Sequence, residues 1–364
     1  MKYFLIAGEV SGDIHAASLI KQIKQRDSEA QCIGLGGDQM ATAGCYLYQH
    51  ISNMAFMGIA AVVRNIRRVI QNFKITHKAL LDEKPDVLIL VDYPSFNLKI
   101  ASFCREHLPG TKIYYYIPPK VWAWKQWRIH KIARLCDKIL GIFPFEPEFY
   151  TRYGYKCTYV GNPTAEILNR LPEPTQRKQT IAILPGSRPS EVNHCLPRML
   201  DAARRFTGYT IIVCAAPTMD DTFYRSYLHR GELLTRDTYG TVREAAAAIV
   251  NSGTATLETA LLGCPQVAVY YLACSRLIGA LRWMQPLIFS IPYFTLVNII
   301  AGKKVIKECV ANEFTVNNIA NELARLLTDE SYKKEMLVSY KHLSSILGSL
   351  PASITAAQII TSKP

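Results

Sequence analysis

The chain has 364 residues, 49% of them hydrophobic and 20% charged, with a formal net charge of +13. The length accommodates two domains of ordinary size, and the apolar content excludes a disordered chain. The positive balance favours an anionic partner: nucleic acid, a phosphorylated substrate or an anionic membrane surface.

The opening run, Met1-Lys-Tyr-Phe-Leu-Ile-Ala-Gly8, is too short for a secretory signal and is followed at once by Glu9. It reads as a first strand over 3–7, with a helix over 13–24. Between them, Gly8-Glu-Val-Ser-Gly-Asp13 lacks the G-x-G-x-x-G spacing of a dinucleotide site. Gly8 and Gly12 permit a tight turn there, and Asp13 can cap the helix. Strands are expected over 31–35, 86–91, 112–117 and 138–143, and helices over 65–81, 127–135 and 146–153. Gly34-Leu-Gly-Gly37 reads as a turn. This alternation implies a parallel sheet covered by helices on both faces.

The polar, proline-bearing segment Leu171 to Gln179 reads as a linker. The pattern then restarts, with strands over 180–184, 209–215, 245–250 and 266–270 and a helix over 191–206. The expected fold class is therefore α/β: two Rossmann-like doubly wound domains, 1–170 and 171–340. Their ligand crevices would lie at the carboxyl ends of the strands. No stretch clearly spans a membrane; the nearest, 277–301, is interrupted by Arg282, Gln285, Pro286 and Pro292. The ten cysteines form no C-x-x-C pair, which argues against a zinc site. They are expected to be reduced thiols of a cytosolic protein.

Four places could carry chemistry. Asp92 closes the apolar run 87–91 and precedes Tyr93-Pro94, at the mouth of the first sheet. It reads equally as a general base or as a turn-forming residue. Leu184-Pro-Gly-Ser-Arg188 ends the first strand of the second half. Gly186 and Ser187 allow close backbone approach, and Arg188 offers a fork suited to a diphosphate. Ser252-Gly-Thr-Ala-Thr-Leu-Glu258 opens a helix ending at Gly263. The amides of Ser252, Gly253 and Thr254 suit a phosphate, and Glu258, one turn on, could accept ribose hydroxyls. Asn298 precedes Gly302, Lys303 and Lys304, which read as a phosphate contact or a solvated face. No D-x-D triplet occurs, so no metal is expected: Arg188 and helix ends would hold a diphosphate.

Two basic regions remain. Arg64, Arg67, Arg68, Lys74 and Lys78 follow the apolar run 54–63, which includes Met54, Phe56 and Met57. Lys120, Lys125, Arg128, Lys131, Arg134 and Lys138 form the second, with Trp122, Trp124 and Trp127 interleaved. Both suit a membrane interface, and stacking on nucleic acid is the other reading.

In order and spacing these motifs resemble the lipid A disaccharide synthases, two-domain glycosyltransferases of the GT-B type. The matching pieces include Gly8 to Asp13, Met57-Gly58, Asp92 to Asn97, Val121-Trp-Ala-Trp124, Phe143 to Glu146, Leu184 to Arg188, Glu191, and Ser252 to Glu258. The resemblance implies transfer of 2,3-diacylglucosamine from its UDP donor to 2,3-diacylglucosamine 1-phosphate, with inversion to a β-1,6 bond. It puts Asp92 and Arg188 at catalytic positions and Glu9, Ser11, Gly12 and Asp13 on the acceptor side. Gly186, Ser187, Ser252, Gly253, Thr254, Glu258 and Asn298 would line the UDP-sugar site. Met54, Phe56, Met57, Arg64, Arg67 and Arg68 would meet the cytoplasmic face of the inner membrane. No cofactor and no nucleic acid are implied, a homodimer is left open, and residues 341–364 would pack back on the first domain. Ala61, Lys120, Asn162 and Val297 depart from the residues common at those positions (Glu, Ser, His and Pro). Two alternatives stay open: another GT-B enzyme acting on a UDP-sugar, or a basic binding module without turnover.

Overall fold

The computed structural model describes residues 1–54, 66–123, 125–172, 176–217, 219–271 and 293–362. They divide into two units, 1–166 with 349–364, and 167–348. The division falls before the expected linker.

The first unit is built on a seven-stranded, fully parallel sheet. Its strands are β1 (Lys2–Ala7), β2 (Gln31–Gly36), β3 (Tyr46–His50), β4 (Val87–Val91), β5 (Lys112–Tyr116), β6 (Lys138–Gly141) and β7 (Thr158–Tyr159). All five residues of β4 are buried, as an apolar run covered on both faces should be. The spatial order β3-β2-β1-β4-β5-β6-β7 reverses between β1 and β4. Ala7 pairs with Val91, so Gly8 and Asp92 leave the sheet side by side at this switch point. Open α/β sheets bind ligands there.

The second unit repeats the plan with six parallel strands: β8 (Lys178–Leu184), β9 (Thr210–Cys214), β10 (Leu233–Thr235), β11 (Ala245–Asn251), β12 (Gln266–Tyr270) and β13 (Lys307–Val310). The order β10-β9-β8-β11-β12-β13 reverses between β8 and β11. Leu184 pairs with Val250, which sets the 185–188 loop beside Ser252.

The helix Glu330–Leu347 stays with the second unit, burying Met336, Tyr340, Leu343 and Leu347. Only from Ser349 does the chain rejoin the first unit. There Ala352–Thr361 packs on the helix Val10–Arg26. Its small buried residues, Ala352, Ala356 and Ala357, permit close helix contact. The Glu166 carboxylate caps it, accepting the Ser353 amide at 2.9 Å and hydroxyl at 2.8 Å. The apolar stretch 277–301 lies mostly outside the described residues.

Candidate active site

In the first unit, Asp92 and Tyr93 both sit in the left-handed region, at φ 47° and 46°. Two successive non-glycine residues there need outside support. Asn97 Nδ2 donates to the Asp92 carbonyl at 2.7 Å, and the Tyr115 hydroxyl to the same oxygen at 2.9 Å. The backbone is thus held inward while the Asp92 carboxylate is left half-buried at the sheet mouth. Burial raises its pKa above the usual carboxylate range, and the Lys120 charge and the Tyr93 amide act against that rise. The Tyr93 ring covers Gly8, where a Cβ would lie 2.3 Å from it. Only glycine fits beneath that ring.

The helix after β1 begins at Val10, so Ser11, Gly12 and Asp13 form its first turn rather than a loop. Glu9 is its half-buried N-cap residue and Ser11 is exposed. Asp13 corrects an expectation. It is 3% exposed, and its carboxylate accepts the amides of Gly37 at 2.8 Å, Gln39 at 3.0 Å and Met40 at 3.0 Å. It caps the short helix Asp38–Thr42 instead of facing an acceptor. Met54 is a second correction. It is 1% exposed in the core with Leu90 and Phe96, and its carbonyl accepts the Tyr93 hydroxyl at 2.8 Å. It cannot meet lipid. Phe56, Met57 and Arg64 lie outside the described residues, as does Trp124. Trp122 is buried, whereas Trp127 is 65% exposed.

In the second unit, Gly186 is left-handed at φ 113°, and a Cβ on it would come within 2.6 Å of Asn251 Nδ2 and of the Glu191 carboxylate. Glu191 organises this loop. One oxygen accepts the Ser187 amide at 3.1 Å and the other the Arg188 guanidinium at 3.1 Å. Arg188 is the N-cap of Pro189–Ala203 with Glu191 three residues on, the spacing of a capping box. That spacing is the sequence signal for Glu191's role. The Arg188 side chain remains 53% exposed.

Across the switch point, the Ser252 amide donates to the Val269 carbonyl at 2.7 Å. The helix Thr254–Leu261 starts from exposed Gly253 and, among the described residues, carries no side-chain cap. Its first amides and its dipole therefore remain available to an anion. Glu258, half-buried on the same helix, has its pKa raised by burial. The Tyr239 hydroxyl is pushed up to about 12 by burial and then by the Glu258 charge.

Asn298 is a third correction. It is fully buried; its Nδ2 donates to the Ile306 carbonyl at 3.0 Å and to Glu308 at 2.9 Å. Its Oδ1 accepts the Val305 amide at 2.8 Å and the Ile306 amide at 3.0 Å. Both of its donors and both acceptor positions are taken, so it braces the scaffold and has nothing left for a sugar nucleotide. Glu308 reaches back to the start of the helix Leu296–Ala301, accepting the amide of its N-cap residue Thr295 at 2.8 Å and the Thr295 hydroxyl at 2.7 Å.

Two doubly wound parallel units, each with polar loops at its switch point, define the GT-B class. Solved structures agree on the fold. The chain is similar to a putative UDP-N-acetylglucosamine 2-epimerase from Listeria monocytogenes, at TM-score 0.66 and 12% identity, covering 99% of this chain and 94% of that one. It is also similar to the glycotransferase of kitacinnamycin, at TM-score 0.63 and 10% identity, over 99% and 98% of the two chains. Within that class the family model described as lipid-A-disaccharide synthetase matches residues 3–356, and the chain belongs to this family. The lipid-A-disaccharide synthases of Syntrophus aciditrophicus and Trichlorobacter lovleyi are each 34% identical to it. The matches cover 98% and 99% of this chain and 96% and 97% of those proteins. The chain is a glycosyltransferase of lipid A synthesis that uses a UDP-sugar donor and an acceptor. Neither alternative left open by the sequence is favoured.

Proposed function

We propose that the chain transfers 2,3-diacylglucosamine from UDP to the 6-hydroxyl of 2,3-diacylglucosamine 1-phosphate, inverting the anomeric centre and releasing UDP. The observation that carries this reading is placement. Asp92 leaves the sheet at the switch point of the first unit, and Arg188 and the uncapped helix at Thr254 flank that of the second. Asp92 takes the proton of the acceptor hydroxyl as its oxygen bonds to the anomeric carbon. The bond from that carbon to the diphosphate breaks, and the electron pair leaves with UDP. Arg188 and the amides at 253–254 stabilise the charge gathering there, while Gly186 lets the phosphates approach the backbone. Glu258 accepts the ribose hydroxyls, which compensates the burial of its carboxylate. Incubating the protein with both lipid sugars should yield disaccharide 1-phosphate and UDP in equal amounts by mass spectrometry. UDP release with no disaccharide would reject the reading.

The substrates' acyl chains call for a lipid-facing surface on the cytoplasmic side of the inner membrane. Ile66 and Ile70, 48% and 49% exposed, flank exposed Arg67 and Arg68 at the start of the helix Ile66–Glu83. Trp127 projects beside Arg128, whose guanidinium lies 5.6 Å from the ring centroid. Apolar and aromatic side chains set among cations suit an anionic headgroup layer. Binding to phosphatidylglycerol vesicles should weaken as salt screens these charges, and an Arg67→Ala/Arg68→Ala double variant should bind more weakly at low salt with a shallower salt dependence. Salt-independent binding in a cosedimentation assay would remove the electrostatic part.

A further inference from the structure

The loop after β5 carries a cation that the reaction described above does not use. Val91 pairs with Tyr116, and the Asp92 amide donates to the Tyr116 carbonyl at 3.4 Å. The segments following β4 and β5 therefore leave the sheet together. Beyond Tyr116 the chain turns through Ile117, left-handed at φ 60° although β-branched, then Pro118 and Pro119, to Lys120. Backbone strain thus gathers at two neighbouring strand ends, Asp92-Tyr93 and Ile117.

The turn that Lys120 opens is pinned from beneath. The Ala123 amide donates to the Lys120 carbonyl at 3.0 Å, and Val121 and Trp122 are 1% and 4% exposed. The Trp122 indole N–H donates to Glu146 at 3.2 Å, and its ring meets Phe145 edge-on at 5.0 Å. Glu146 is fully buried, and its second oxygen accepts the amides of Ile142 at 2.7 Å and Phe143 at 3.0 Å. With its neighbours locked in the core, Lys120 keeps an exposed face. Burial of its stem lowers the ammonium's pKa, and the charges of three carboxylates from three strand ends act against that fall: Asp92 after β4, Glu146 after β6 and Glu9 after β1.

We propose that Lys120 is a positioning residue for Asp92, a cation carried on a pinned turn beside the strand end that bears the base. The proposal rests on reading Asp92 as the base. Burial alone would favour the protonated carboxyl, which cannot accept the acceptor's proton. Among the described residues, the other groups near Asp92 do not supply a counter-charge. Tyr115 spends its hydroxyl on the backbone carbonyl, Tyr93 offers only its amide, and Glu9 and Glu146 are acids.

The test is the pH dependence of kcat/KM in Lys120→Met and Lys120→Arg. Removing the cation should move the acidic limb up by about one pH unit, a tenfold loss on that limb with recovery towards the wild-type plateau at higher pH. Lys120→Arg should keep the wild-type limb. Calorimetric UDP binding, governed by the second unit, and thermal melting check the fold; should Lys120→Met fail either, Lys120→Gln replaces it. An unmoved limb overturns the proposal. So does a pH-independent rise in KM for the phosphorylated acceptor alone, which would assign Lys120 to that phosphate. Asp92→Asn, assayed in parallel, separates the two ideas. If it retains activity the base reading itself fails, whereas if it is inactive and the Lys120→Met limb stays put only the present proposal fails.

Discussion

Asp92→Asn is expected to lower kcat by about 10³-fold while UDP still binds, because a positioned general base contributes roughly 10²–10⁴-fold. The substitution keeps shape and removes only the basic oxygen. The bonds that hold the turn, from Asn97 and Tyr115, go to the backbone carbonyl and survive the change. In the wild type the rate should fall as pH drops through the raised Asp92 pKa, because the protonated carboxyl is no base. Stability follows the opposite course. The folded protein holds this proton more tightly than the unfolded chain does, so the contribution is present below the unfolded pKa. It is lost as pH rises through the folded one. At neutral pH the asparagine variant, with no half-buried charge, should therefore melt no lower than wild type. Single-turnover kinetics beside a melting curve checks both halves. Retained turnover removes Asp92 as base, and a collapsed melting temperature reassigns it to structure.

The second large effect is expected from Arg188→Ala. Loss of one preorganised donor to developing charge costs about 10²–10³-fold in rate, roughly 3 kcal/mol. Arg188 is held in place by Glu191 and stays half-exposed, so its guanidinium is oriented before any ligand arrives. Glu191→Gln should show a smaller loss, since the amide oxygen can still accept the Ser187 amide or the guanidinium but carries no charge. Lysine at 188 should restore little, because an ammonium cannot make the two parallel bonds of the guanidinium fork. Steady-state kinetics with UDP-sugar and calorimetry with UDP separate transition-state from ground-state loss. Unchanged kinetics in Arg188→Ala would take this residue out of the reaction.

Much of this architecture could be read from the chain, because its central strands are continuous apolar runs. Strand β4 and the inner residues of β8 and β11 announce themselves, and their order implies parallel pairing. Strands β3, β10 and β13 do not. They lie at sheet edges, partly exposed, and carry no apolar run to mark them. The loops that follow the strands bordering each reversal of order were also visible, as small residues with Asp92, Arg188 and Thr254 among them. Strand ends bordered by glycine and proline are local signals.

Asp13, Met54 and Asn298 show where local reading stops. Each was an eligible ligand or lipid contact by type and position, yet each is buried, with partners remote in sequence or drawn from other elements. Asp13 is committed to amides beyond β2, Met54 to the core under Tyr93, and Asn298 to the backbone before β13. Lys120 differs in being exposed, yet the acids whose charges act on it, Asp92, Glu146 and Glu9, follow three other strands and could not be read from its own basic stretch. Sequence by itself determined the alternation of elements, the two parallel sheets and the loops that border each reversal, because these follow from hydrophobic pattern and turn chemistry along the chain. Tertiary structure decided which polar side chains stay available for chemistry. Burial and hydrogen-bond partnership depend on what the fold brings alongside, and residues far apart in the chain consume a donor or acceptor as completely as neighbours do.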